Sequence, residues 1–294
     1  MTETQSPPPP IVDDRVLQEI APGVFVIPDG RVPLVPNVGI LVGESGALVV
    51  DTGMGPRNGQ RVLDRALGLT DRPLTLTLTH FHPEHGYGAQ VFRGSARIVY
   101  NRTQREELDE KGAPYVDMFR TFGETVAAQL EGVELVGPDD VYDGETTIDL
   151  GGLTVELREV GPAHTRGDQV VLVREHGVLF AGDLLETRFF PIFPPGDGDV
   201  TGVRWIEVLE RLADLEPRTI VPGHGDVVGP ELIWEVRSYL EDVRDRVREA
   251  SAGGASADEV KSKLEPAIRA AYPSWDAPEW IGFAIESFHA ELTG

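Results

Sequence analysis

The segment Thr79-His80-Phe81-His82-Pro83-Glu84-His85-Gly86 limits what this chain can fold into more than any other, because it places four potential metal ligands within six residues. With 7 histidines in 294 residues, three at fixed places in one such window coincide by chance in roughly one window per seventy thousand. A shared task explains them better than composition does. Neutral imidazoles and carboxylates suit zinc, manganese or iron. The segment follows an apolar run, Leu74 to Thr79, that reads as a strand. A strand-end loop can turn several short side chains toward one point, which the fixed periodicity of a helix or strand does not allow.

Three further segments set a possible ligand just beyond an apolar run: Gly161-Pro162-Ala163-His164-Thr165, Phe180-Ala181-Gly182-Asp183 and Val221-Pro222-Gly223-His224-Gly225. Strand ends on one edge of a sheet converge, and a neighbouring glycine lets the backbone approach closely. Seven groups then share one cleft. That exceeds the needs of one tetrahedral ion and fits two metals bridged by a carboxylate.

Short β-branched runs at Val24 to Ile27, Val38 to Val42, Ala47 to Val50 and Arg97 to Tyr100 add strands to the first half. Helical spacing covers Asn58 to Leu67, and the polar stretch Asn101 to Glu131 reads as helix with a solvated face. In the second half, strand-like runs occupy Thr146 to Leu150, Leu153 to Val160, Gln169 to Arg174, Val178 to Ala181 and Thr219 to Val221. Helical patterns follow at Val203 to Leu215, Pro230 to Ala250 and from Ser256, an expected N-cap, to Leu292. Two βα-rich halves predict two sheets packed face to face with helices outside.

With its ligands in this order, the chain resembles the metallo-β-lactamase superfamily, whose hallmark is His-x-His-x-Asp-His followed by a distant His, a bridging Asp and a last His. The resemblance runs from Gly23 to about Gly229 and includes Val49-Val50-Asp51-Thr52-Gly53, which is similar to the family's first motif. It implies an α/β fold, a four-layer αββα sandwich of two mixed sheets with outer helices. It also implies that His80, His82 and His164 hold one divalent ion, that Glu84, His85 and His224 hold the other, and that Asp183 bridges them. Zinc is the expected metal, with manganese or iron as alternatives. Asp51 becomes the partner that orients a metal-bound histidine.

The departure is Glu84, where the family has Asp. An extra methylene moves a carboxylate by about 1.5 Å, against metal-bond tolerances of roughly 0.2 Å. Three roles stay open for Glu84: a ligand after backbone adjustment, a member of a weak second site, or a general base. Beside the ligands, Tyr87 is either a donor to a developing oxyanion or a packing residue. Phe189 and Phe190, in the stiff aromatic segment Arg188 to Gly196, are candidates for lining a substrate pocket or, equally, for packing against another subunit or the C-terminal helices. Arg166 and Asp168 are expected to stabilise the loop of His164.

Composition narrows the reaction. With 26 Lys+Arg against 49 Asp+Glu and a formal charge of −23, the chain repels nucleic acid and anionic lipid, and it contains no cysteine and no apolar run of membrane-spanning length. The expectation is a small-molecule metallo-hydrolase in the cytoplasm, attacking an ester, lactone or thioester carbonyl with a metal-activated hydroxide. The alternatives are a mononuclear non-heme iron dioxygenase of the same fold and a non-catalytic ligand-binding member. Residues 1–15 are expected to be a disordered tail, 16–229 the domain, and 230–294 a helical extension that covers the sandwich, caps the cleft or forms a homodimer.

Overall fold

Period-two patterning in the strands decides the layers. In the computed structural model, which describes residues 8–194 and 197–293, the first sheet holds seven strands in chain order: β1 (Gln18–Ala21), β2 (Val24–Ile27), β3 (Val38–Val42), β4 (Ala47–Val50), β5 (Leu74–Thr77), β6 (Ala96–Asn101) and β7 (Asp140–Tyr142). Neighbours are antiparallel from β1 to β4 and parallel from β4 to β7. The second sheet holds β8 (Glu145–Asp149), β9 (Thr154–Glu159), β10 (Gln169–Val173), β11 (Val178–Gly182) and β12 (Thr219–Pro222), antiparallel except for β11 with β12.

Successive side chains on a strand face opposite ways. Leu48 and Val50 of β4 therefore meet Val171 and Val173 of β10 between the sheets. Val49, one position over, packs outward beneath α1 (Gly55–Leu69), α3 (Arg102–Arg120) and α4 (Glu124–Gln129). Val170 and Leu172 pack outward on the other side, beneath α5 (Gly202–Ala213), α6 (Glu231–Ser251), α7 (Ala257–Ala271) and α8 (Trp280–Thr293). The result is the four-layer αββα sandwich. The short helix α2 (Pro83–Gly86) belongs to the histidine-rich segment itself.

The C-terminal ends of β4, β5, β11 and β12 and the loop after β9 lie along one rim. Leu74 to Thr79 is expected as one strand, but β5 ends at Thr77. Thr79 leaves the ladder because its backbone N–H donates to Asp51 Oδ1 at 2.7 Å. The stretch Asn101 to Glu131 divides at Gly123, whose φ of 127° no helix accommodates. The terminal helix from Ser256 divides likewise, between Ala271 and Trp280, where Pro273 and Pro278 fall. Ser256 itself closes a capping box with Glu259. β1 and β7 escape the pattern, being three or four residues long and partly exposed.

The expected tail needs correcting. Residues 1–7 lie outside the described residues, but in 8–15 Val12 is buried and its N–H donates to Asn58 Oδ1 at 2.9 Å, while Asn58 Nδ2 donates to the Pro10 carbonyl. An apolar side chain and two hydrogen bonds fix this stretch onto α1. At the other end, α6 to α8 share one apolar core with α5 and the outer face of the second sheet. No helix among the described residues is long and apolar enough to cross a membrane.

Candidate metal centre

Each rim loop is held by its own backbone anchors, which leaves the ligand side chains to point inward. Asp51 follows β4 with φ +67°, in the left-handed region that costs a non-glycine residue about 1–3 kcal/mol. The strain aims its carboxylate at the next loop: Oδ2 lies 2.9 Å from Thr79 Oγ1 and 2.9 Å from His85 Nδ1. That contact fixes the His85 ring with Nε2 facing inward. His164 and His224 are oriented in the same way, their Nδ1 atoms 2.9 Å from the carbonyls of Ile192 and Val35 respectively. Asp183 follows β11 directly, and the Gly223 backbone passes so close that a Cβ there would collide with Asp183 Oδ1.

The structure brings all seven expected ligands together in two groups. His80, His82 and His164 form one, and Glu84, His85, Asp183 and His224 the other, each with ligand atoms within 4.8 Å of one another. Asp183 stands between them: Oδ1 is 3.1 Å from His85 Nε2, and Oδ2 is 3.9, 3.7 and 3.7 Å from the Nε2 atoms of His80, His164 and His224. His82 turns Nδ1 toward His164 Nε2 at 3.0 Å.

These donors fit divalent cations. His80 Nε2, His85 Nε2, Glu84 Oε2 and both oxygens of Asp183 are buried without a hydrogen-bond partner among the described residues, an arrangement that is costly unless an ion completes it. Burial, reinforced by neighbouring imidazoles, holds His80 and His82 well below the ordinary imidazole value, and burial lowers His164 as well. Neutral rings are the metal-binding form. Burial alone would also lower His85, but the carboxylates of Asp183 and Asp51 on either side raise it well above. Positive charge is thus favoured where a second cation would lie. Burial would raise Asp183, yet His85 and His224 hold it well below the usual carboxylate range.

Beside the second group opens a cavity of about 610 Å³. Glu84 and His224 reach its wall, with Val32, Leu34, Phe122, Phe189, Ile192 and Trp280 as apolar lining and Asp29, Arg31, Asp276 and Glu279 at polar positions. Of the three expected pocket residues, only Phe189 lines it. Tyr87 is buried and its hydroxyl donates to the Gly112 carbonyl at 3.0 Å, so it packs under α3 and has no proton to offer an oxyanion. Phe190 points the opposite way from Phe189, into the aromatic cluster of Tyr239, Tyr272 and Trp275. Asp168 does hold the His164 loop, accepting from Thr165 N and Oγ1, while Arg166 reaches outward to Glu110.

Several residues at the site carried no sequence signal. The segment 29–37 supplies Asp29, Arg31, Leu34 and the Val35 carbonyl, and Asn37 Nδ2 donates to the carbonyls of Pro222 and Gly225. Tyr115, on a helix read as solvated, stacks on the His82 ring at 5.0 Å and donates to Asp197 Oδ2.

Residues 31–224 match the sequence profile of the Metallo-beta-lactamase superfamily. The chain belongs to this superfamily. Among its relatives are a linear primary-alkylsulfatase from Pseudomonas sp., 23% identical over 75% of this chain and 48% of the relative, and the acyl-coenzyme A thioesterase MBLAC2 of Bos taurus, 26% identical over 69% and 77%. The chain thus spans about half the alkylsulfatase's length. A metallo-beta-lactamase family protein from Thermus thermophilus superposes with a TM-score of 0.66, 24% identity and 93% coverage of both chains. The shared fold therefore extends past residue 224. Within the superfamily, the two ligand groups of this chain fit a dinuclear site.

Proposed function

We propose that the protein is a metal-dependent hydrolase of small, largely apolar esters, lactones or thioesters. One observation carries this reading: two ligand groups meet at Asp183, and the second opens, through Glu84 and His224, onto a cavity of about 610 Å³ with an apolar wall. A cavity of that volume takes a small molecule and buries most of its surface. Divalent ions bound there would supply an activated water and polarise a carbonyl. The protein's own part is to hold and select. Asp183 faces both groups, the carbonyls of Ile192 and Val35 lock His164 and His224, and the apolar wall excludes bulk water from the reacting carbonyl.

Charge narrows the substrate. Asp29, Asp276 and Glu279 stand on the cavity wall, and Arg31, the cation there, is already bonded to Asp226 Oδ2 at 2.7 Å and the Thr187 carbonyl at 3.0 Å. An acidic rim repels anionic head groups, which favours neutral acyl substrates over alkyl sulfates or phosphorylated carriers, although an alkylsulfatase and an acyl-coenzyme A thioesterase are among the relatives. The test is a panel of neutral esters, lactones, acyl thioesters and alkyl sulfates, assayed on protein loaded with zinc, manganese or iron. Acyl cleavage that disappears in His82→Ala supports the reading. One iron per chain with oxygen uptake and no hydrolysis would overturn it.

A further inference from the structure

Three residues after Asp183, the chain buries another carboxylate that none of the chemistry above uses. Glu186 is 1% exposed, and neither oxygen has a hydrogen-bond partner among the described residues. A buried carboxylate with nothing to compensate it is strongly destabilising, so the residue is a cost to the fold alone. Its backbone is clamped to the loop of the last histidine from both sides. Gly223 N donates to the Leu185 carbonyl at 3.1 Å, and Thr187 N donates to the His224 carbonyl at 3.0 Å. Burial first, and then the negative charge of Asp183, push its carboxyl well above the ordinary range, with His85 opposing the rise and Glu84 adding to it; all three belong to the second ligand group. It is not itself one of the ligand atoms clustered within 4.8 Å, and the two backbone clamps place it beside the loop that carries His224.

We infer that Glu186 is the outer carboxylate of the second cation position, a positioning residue that supplies the negative charge the ion needs and accepts a hydrogen bond from water filling that pocket. Charge accounting supports the assignment. Two divalent ions bring four positive charges, and the seven ligands return two negative charges, from Glu84 and Asp183. Asp51, buried behind His85, adds a third, and Glu186 supplies a fourth, the cation in turn compensating a carboxylate that has no partner among the described residues. Asp51 plays the complementary part, orienting the His85 ring through a direct hydrogen bond, whereas Glu186 makes no hydrogen bond to a ligand ring among the described residues. The inference rests on the dinuclear reading of the site but not on any particular substrate.

The test is calorimetric titration of zinc into the metal-free full chain, comparing wild type with Glu186→Gln and Glu186→Asp. The expected result is a second equivalent weakened about 10- to 100-fold in Glu186→Gln, the range for losing an outer partner of a metal ligand. The first equivalent should be unchanged, and the metal-free melting temperature should stand at or above wild type. Glu186→Asp, which keeps the charge, should recover most of the affinity. Two wild-type zinc isotherms in Glu186→Gln would overturn the inference, as would a fall in metal-free stability with metal binding untouched, the mark of a purely structural residue. Because zinc binding is read without substrate, failure of the hydrolytic reading leaves this result intact. A weakened second equivalent with no turnover on any ester would sink the former and support the latter.

Discussion

The two ligand groups meet at Asp183 and differ in almost everything else. His80, His82 and His164 bring no charge of their own and are roofed over: Tyr115 stacks on His82, Trp205 lies 5.7 Å from the His164 ring, and the Ile192 carbonyl closes behind. Glu84, His85, Asp183 and His224 bring two carboxylates, are backed by Asp51, and open onto the cavity. A neutral, covered group suits holding an ion, and a charged, open group suits meeting water and substrate. The difference also shows where the fold's strain and unpartnered charge have gone. The left-handed Asp51 and the buried Glu186 stand on the open side, while the closed side is held by packing, the Ile192 carbonyl and Asp168 beneath the His164 loop.

The largest effect should come from the residue the groups share. Asp183→Asn keeps the shape and removes the carboxylate that lies 3.9 and 3.7 Å from His80 and His164, so both ions should be lost and hydrolysis should fall by at least about a thousandfold, ~4 kcal/mol of transition-state stabilisation. Elemental analysis beside circular dichroism checks it. One ion retained at full affinity would show that three imidazoles suffice and that the groups are independent. A narrower blow to the open group is Glu84→Asp, which draws the carboxylate back by about 1.5 Å against a tolerance of roughly 0.2 Å. We expect the second zinc equivalent to weaken about 10- to 100-fold and the first to be unaffected. Equal losses in both equivalents would erase the proposed division.

The ligand residues were legible because metal chemistry restricts them to few residue types, and because strand-end loops keep them next to Gly and Pro, as in Gly223-His224-Gly225. The layers were legible because buried strands must alternate, as Val170 to Val173 do. What escaped was whatever works through the backbone or through one face of a helix. The Val35 and Ile192 carbonyls hold two histidines, yet any residue has a carbonyl. Tyr115 sits among Arg/Glu pairs that read as a solvated surface. Phe189 and Phe190 look alike in sequence, and their extended bridge to Asp276 sends one to the cavity and the other to the core. Glu186 escaped because a lone acid after Leu184-Leu185 carries no spacing signal, and only burial without a partner distinguishes it.

The smallest effect separates the supports of the two groups by pH. Asp168, fully buried beneath the His164 loop, accepts from Thr165 N at 3.0 Å and Thr165 Oγ1 at 2.5 Å. Burial outweighs those bonds and pushes its carboxyl up to about 8. In the unfolded chain the same carboxyl ionises near pH 4. Between those values the folded state binds the extra proton, so this group's contribution to stability is full below about pH 4 and declines as pH rises toward 8. Thermal melts of the metal-free protein across that range should show wild type losing stability relative to Asp168→Asn, which keeps an acceptor for Thr165 N but has nothing to titrate. Parallel melting curves for the two proteins would mean that Asp168 is ionised throughout and that the His164 loop is held by charge, making the closed side as dependent on buried carboxylates as the open one.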